Sequence, residues 1–282
     1  MTASIRGAYG FRLKYLHHEP MPDDLIELDR GLPEVVVGWR HASTVWDIEE
    51  VGEQRFKFGV RGAATFHVDR DPPAILFDLP EAPPPGALIH PLLTVGIAVL
   101  ARWRGDVTLH AGAFATPEGA WGILGLREAG KSAILAGIAS SGHAIVADDL
   151  LAIHEGSAWA GPSCVDLRPD TAQRFADARY LGIVGSRPRY RLSTPTPRDI
   201  RSPMRGFFLL DWHDDPLVRV ERVPTAEWLR WLYRQEYISL VGTPDPRKLL
   251  ALLGLPCWRV SRPRDWAMTQ EAIGRVLEVA AA

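Results

Sequence analysis

Short stretches in the first third of the chain alternate apolar and polar residues with a period of two. GFRLKYL (10–16) and EVVVGWR (34–40) are apolar runs bounded by glycine and proline, and RFKFGV (55–60) and AATFHVD (63–69) flank Arg61-Gly62. A period of two puts successive side chains on opposite faces of a strand, so this region is expected to be β-rich, with a hairpin turning at Arg61-Gly62. AILFDLP (74–80) predicts one more strand. EAPPPG (81–86) then stops the pattern, because consecutive prolines cannot continue a helix or a ladder. From Ala87 to Ala101 no residue is charged. This stretch is about 15 residues, too short to cross roughly 30 Å of hydrocarbon, and it predicts a buried helix over Ala87–Trp103 that stops near Gly105.

The middle of the chain changes period. VTLHAGAFA (107–115) and AWGILGL (120–126) read as strands joined by the turn Thr116–Gly119. Ala133, Ile134 and Ile138 recur at helical spacing, which predicts a helix over Lys131–Ser141 closed by Gly142. HAIVADDLLAIH (143–154) is an apolar strand interrupted by two aspartates. Strand, loop, helix and apolar strand in succession imply a sheet covered on both faces. Further on, the Pro- and Arg-rich stretch 185–203 predicts a mobile or binding loop. MRGFFLLDW (204–212), LVRVERV (217–223) and CWRVSRP (257–263) predict strands. TAEWLRWLYRQEYISLV (225–241) predicts a helix with Thr225 as N-cap, and RDWAMTQEAIGRVLEVAAA (264–282) a terminal helix.

Composition narrows the function classes. The chain has 282 residues, 46% of them hydrophobic and 23% charged, which is ample for a buried core and excludes disorder. A formal net charge of -2 argues against a general nucleic-acid binder. Cys164 and Cys257 are the only cysteines, so no disulfide framework is implied and a cytoplasmic location fits. The N-terminus lacks the apolar core of a signal peptide, and no membrane association is expected. Lysine stands only at Lys14, Lys57, Lys131 and Lys248.

One of those lysines lies in the sharpest motif of the chain, Gly125-Leu126-Arg127-Glu128-Ala129-Gly130-Lys131-Ser132. It matches G-x-x-x-x-G-K-[ST] with a strand before it and a helix after it, a pattern that a shuffled chain of this composition would carry roughly 0.003 times. The glycines let backbone N–H groups turn inward around phosphate oxygens, and the helix N-terminus adds partial positive charge. Lys131 suits the β- and γ-phosphates, and Ser132 suits Mg²⁺. Residues 125–133 are therefore expected to bind ATP. A carboxylate at Glu128 is expected to point away from the phosphates.

Asp148-Asp149 follow seventeen residues after Lys131, inside the apolar strand. Adjacent carboxylates there cost stability unless cations or hydrogen bonds compensate, and in a regular strand they face opposite ways. One suits the metal and the other suits proton acceptance from an attacking hydroxyl. His110, in LHAG before the loop strand, is a third candidate. His90, His143 and His154 read as structural. Cys164, His154 and Asp166 do not make a zinc spacing, and neither G-x-S-x-G nor H-E-x-x-H occurs.

LHAG (109–112), GLREAGKS (125–132) and GHAIVADDLLAI (142–153), in that order, resemble the catalytic domain of HPr kinase/phosphorylase. The resemblance is sharp over 107–154; beyond it, MRGFFLLDW and CWRVSRP look like the wider HPr-kinase-related group, which includes lasso-peptide tailoring kinases. It implies an α/β, PEP-carboxykinase-like P-loop kinase domain, here residues 87–282, preceded by a β-rich N-terminal region, residues 1–86. It implies roles for His110, Asp148, Asp149 and Lys131 in catalysis, and for Ser132 with one aspartate in holding Mg²⁺. The residues leave the division between the aspartates open; Asp148 is assigned here as base and Asp149 to the metal. Self-association is implied too, since HPr kinases form hexamers. Two departures stand out. Arg127 and Glu128 occupy the middle of the loop, where HPr kinases often carry Gly-Asp-Ser-Gly-x-Gly-Lys-Ser. The later Glu-x-Arg-Gly stretch associated with phosphorolysis is not intact.

The expected activity is ATP- and Mg²⁺-dependent transfer of a phosphoryl group to a Ser/Thr hydroxyl of a peptide or protein, including a ribosomally made peptide. Arg189, Arg191 and Arg205 are the expected substrate contacts. A small-molecule hydroxyl kinase on the same scaffold and a non-catalytic ATP-dependent sensor are the alternatives. A closed pocket would favour the former, and ATP binding without transfer the latter.

Overall fold

The structure is a computed structural model, and it describes residues 5–16, 22–43, 49–60, 64–83, 87–184, 187–237 and 245–282. The first eight strands are β1 (Arg6–Ala8), β2 (Phe11–Tyr15), β3 (Ile26–Glu27), β4 (Glu34–His41), β5 (Glu49–Val51), β6 (Arg55–Val60), β7 (Ala64–Asp69) and β8 (Ala74–Leu79). They form a single sheet in the order β3-β1-β2-β4-β8-β7-β6-β5. Val60 and Ala64 pair across the expected hairpin, whose turn at Arg61-Gly62 lies outside the described residues, as does part of EAPPPG. A kinked lead-in over Leu88–Leu93 then enters α1 (Thr94–Arg104), which ends at left-handed Gly105.

A larger sheet follows. Its strands are β9 (Val107–Leu109), β10 (Gly112–Thr116), β11 (Gly119–Leu124), β12 (Ile145–Ala147), β13 (Leu151–His154) and β14 (Ser157–Trp159), with α2 (Lys131–Ser140) between β11 and β12. Next come β15 (Cys164–Leu167), α3 (Pro169–Ala172), β16 (Arg179–Val184) and β17 (Arg187–Ser193), which make a separate three-stranded sheet. The chain returns through β18 (Arg201–Trp212), β19 (Arg219–Arg222), α4 (Thr225–Arg234), α5 (Pro246–Leu252), β20 (Cys257–Arg262) and α6 (Trp266–Ala281). The long β18 organises the large sheet: it runs parallel to β11 and β20 and antiparallel to β14.

Alternation along β18 separates two cores. Phe207 and Leu209 join a cluster with α1, α4 and the first sheet, while Phe208 and Leu210 join one with α2 and α6. A strand buried on both faces explains why this segment reads as unbroken apolar sequence. The molecule is thus mixed α/β with several sheets, and the first sheet shares its core with α1, where Gly96 sits directly on Ile75. Among the described residues no helix is long and apolar enough to cross a membrane.

Four local expectations change. The strands expected over 107–115 and 143–154 do run antiparallel, but each is interrupted, at His110-Ala111 and at Asp148–Leu150. The flanking pairs are Leu109↔Leu151 and Ala113↔Ala147, so the two interruptions lie opposite each other. Stretch 185–203 is largely strand rather than loop: residues 187–193 are β17 and β18 begins at Arg201, while 185–186 lie outside the described residues. Tyr190 and Leu192 pack onto the core, which the surrounding arginines concealed. The helix from Thr225 ends at Arg234, and residues 238–241 of its expected span lie outside the described residues. Thr225 caps nothing, because the cap position is extended Pro224.

Candidate functional site

The interrupted strands and the glycine-rich loop converge on a cavity of about 870 Å³. His110, residues 127–133, Asp148 and Asp149 line it, with Asp166, Arg168, Arg189, Trp212, Arg262 and Trp266 among the other walls. The loop has left-handed backbone at Glu128 (φ 70°) and Gly130 (φ 86°). At Gly130 the left-handed backbone favours glycine, and a Cβ there would come within 2.6 Å of the Arg262 guanidinium. Glu128 is exposed and turns to Arg168 at 3.1 Å, which holds its carboxyl below the usual range.

Lys131 opens α2. It is buried, which pushes its pKa down despite the nearby aspartates, and its Nζ donates to the carbonyls of Gly125 (2.9 Å) and Leu126 (3.4 Å). Gly125 and Leu126 themselves do not line the cavity. Ser132 Oγ donates to Asp148 Oδ1 at 3.1 Å. Asp148 is buried, accepts the Asp166 N–H at 3.1 Å, and has its pKa raised to about 6 by burial, with His90 opposing and Asp149 and Asp166 reinforcing. The hard oxygens of Ser132 and Asp148, side by side at the end of the glycine-rich loop, are the donor type that Mg²⁺ takes.

Asp149 points elsewhere because its backbone is left-handed (φ 68°). Its Oδ1 lies 3.2 Å from His110 Nδ1, and its Oδ2 accepts from the Tyr237 hydroxyl at 3.0 Å. His110 Nδ1 also lies 3.2 Å from the Asp149 carbonyl, so a proton on Nδ1 serves both oxygens. Burial pushes the His110 pKa down, Asp149 pulls it back and Lys131 adds to the depression. The net direction favours a neutral ring.

Gln235, Tyr237, Trp212 and Arg262 carry no functional signal in the sequence, and Asp166 enters there only in the rejected zinc spacing. The buried Gln235 accepts the His110 N–H at 2.6 Å through its carbonyl. Its side-chain amide, turned to satisfy both groups, donates to His110 O at 3.0 Å and Gly125 O at 3.2 Å. No motif marks such residues, which reach the site from α4 and the strands only in three dimensions.

The expected arginines separate. Arg189 lines the cavity, whereas Arg191 and Arg205 do not. Arg191 does not face substrate: it is buried, forked onto Asp166 (2.7 and 3.1 Å) and paired with Asp24 at 3.4 Å. Through Asp166 it steadies the N–H that holds Asp148. Arg205 stands on β18 against Gly119.

With this geometry in hand, comparison with known proteins adds little. No family model matches the chain, and no curated protein does. Among solved structures it is similar to the HPr(Ser) kinase/phosphatase from Coxiella burnetii, at 15% identity over 62% of this chain and 97% of that one, with a TM-score of 0.28. A likeness that slight carries no argument, and the functional reading rests on the site.

Proposed function

We propose that the protein is an ATP- and Mg²⁺-dependent kinase acting on a hydroxyl acceptor, built on a PEP-carboxykinase-like P-loop domain over 87–282 behind a β-rich region, 1–86. What supports this most is one juxtaposition. Phosphate-loop residues Lys131 and Ser132 share a cavity with two aspartates that have different partners, Asp148 on Ser132 and Asp149 on His110 and Tyr237.

On those partners we assign the two roles the other way round from the sequence reading. Ser132 and Asp148 are the residues that would hold Mg²⁺, which when bound neutralises charge on the phosphates. Lys131 exchanges the carbonyls of Gly125 and Leu126 for phosphate oxygens. Asp149 takes the proton of the acceptor hydroxyl while that oxygen bonds the γ-phosphorus and the bond to the ADP oxygen breaks. His110 and Tyr237 orient the Asp149 carboxylate for that step.

The acceptor class we propose is a serine or threonine of a peptide or protein, in the cytoplasm, with a ribosomally made peptide as the first candidate. Incubating the protein with MgATP and short peptides encoded beside its gene, with HPr as control, tests this by mass spectrometry. A gain of about 80 Da on serine or threonine is expected. ATP bound without transfer to peptide or metabolite hydroxyls would replace the kinase with a nucleotide sensor.

A further inference from the structure

Arg262 has a demanding environment that the mechanism above does not use. It ends β20, is 0% exposed, and stacks on Trp212 at 4.1 Å. Its Nη2 donates to Ala129 O at 2.9 Å, while Nε and Nη1 have no hydrogen-bond partner among the described residues. No carboxylate forms an ion pair with it among the described residues. A buried cation without a counter-ion is costly, and burial accordingly lowers its pKa to about 10. Such a group needs an anion nearby, and the cavity it lines is the phosphate loop's.

Trp212 and Arg262 are register partners on the parallel strands β18 and β20. Together they hold consecutive loop carbonyls: Trp212 Nε1 donates to Glu128 O at 3.1 Å, beside the bond from Arg262 to Ala129 O. A trans peptide points its N–H opposite its C=O, so fixing Ala129 O fixes the direction of the Gly130 N–H, which makes no backbone hydrogen bond among the described residues. Arg127 and Glu128 leave this loop with few glycines, so the clamp does from outside what local backbone freedom does less well here.

We propose that Arg262 is a positioning residue for the polyphosphate chain of a nucleoside triphosphate, fixing the Gly130 amide through Ala129 O and placing an uncompensated positive charge behind the phosphate seat. This rests on the phosphate-loop reading above. Its ligand is the polyphosphate itself, so inorganic tripolyphosphate is a sufficient probe.

Titration calorimetry of tripolyphosphate against wild type, Arg262→Met and Arg262→Lys, at several salt concentrations, tests it. Arg262→Met should weaken binding roughly tenfold or more and flatten the salt dependence. Arg262→Lys should recover part of both, since the charge returns without the planar fork. A residue that only supported the fold would lower the melting temperature and leave the affinity and salt slope of the folded protein unchanged; that result overturns the assignment. If Arg262→Met fails to fold, Arg262→Gln, which also removes the charge, decides, and wild-type affinity with an unchanged salt slope there overturns it equally. Failure of wild type to bind tripolyphosphate would remove the phosphate-loop reading along with this one, whereas wild-type binding with unchanged variants removes this one alone.

Discussion

Asp148 and Asp149 are neighbours in sequence with opposite surroundings. Asp148 is buried on Ser132, and Asp149 is turned by its left-handed backbone toward His110 and Tyr237. Asp149→Asn should cut phosphoryl transfer by roughly 10² or more with MgATP affinity near wild type, whereas Asp148→Asn should lose Mg²⁺ dependence of binding. The opposite pattern in kinetics and calorimetry would restore the assignment made from sequence. Asp148 also sets a pH dependence in the metal-free protein. Its carboxyl ionises near 3.8 when unfolded and at about 6 when folded. Between those values the unfolded chain has released a proton that the folded protein keeps, so this contribution to stability is present below about pH 4 and lost as pH rises through 6. Removing the charge should make metal-free Asp148→Asn up to about 3 kcal/mol more stable than wild type at pH 7 in urea unfolding. Equal or lower stability would mean that the carboxylate is better compensated than its burial implies. Lys131→Ala should abolish thermal stabilisation by ATP; a melting shift equal to wild type would sink the phosphate-loop assignment.

At the scale of elements, α2 carries Lys131 and Ser132 and is seated by Ile134, Leu135 and Ile138 against β10, β15 and α6. Ile138→Ala should cost about 2–5 kcal/mol of stability in urea unfolding, the usual range for truncating a buried isoleucine. A cost under roughly 1 kcal/mol would show that the helix is not locked to its neighbours. Glycine marks how close these elements come: at Gly112 a Cβ would lie 2.2 Å from Leu135. The glycine-rich loop and α2 were legible because their residues are local and their pattern is rigid. The paired strands on either side were legible as apolar runs. Their interruptions were not, because a break at His110 or Asp148 leaves the sequence pattern unchanged and is set by which ladder the chain joins next. Likewise β17 was hidden: Arg191 is buried only because Asp166 and Asp24 meet it there.

Across the whole molecule, the first sheet is tied to the site by specific groups. Tyr9 N–H donates to Ala160 O at 2.7 Å, Ser163 N–H to Asp24 O at 2.8 Å, and Asp24 pairs with Arg191, which supports Asp166 behind Asp148. A chain reduced to residues 87–282 should therefore lack a single cooperative urea transition and should lose ATP-induced stabilisation. Cooperative unfolding with full ATP binding would make the two regions independent.

Sequence by itself determined the glycine-rich loop, the order of strand and helix around it, the pair of acids and the candidate histidine, because each depends on spacing within one or two elements. It also implied a sheet covered on both faces, since alternation and apolar runs follow from the strand's period. Tertiary structure decided which aspartate meets Ser132, which arginine is locked inside and which lines the cavity, and that Gln235, Tyr237, Trp212 and Arg262 belong to the site at all. Those outcomes depend on strand register and on a left-handed residue at Asp149, and on contacts between residues as far apart as Ala129 and Arg262. No local pattern encodes such contacts, because their energy exists only once the cores on both faces of β18 have formed.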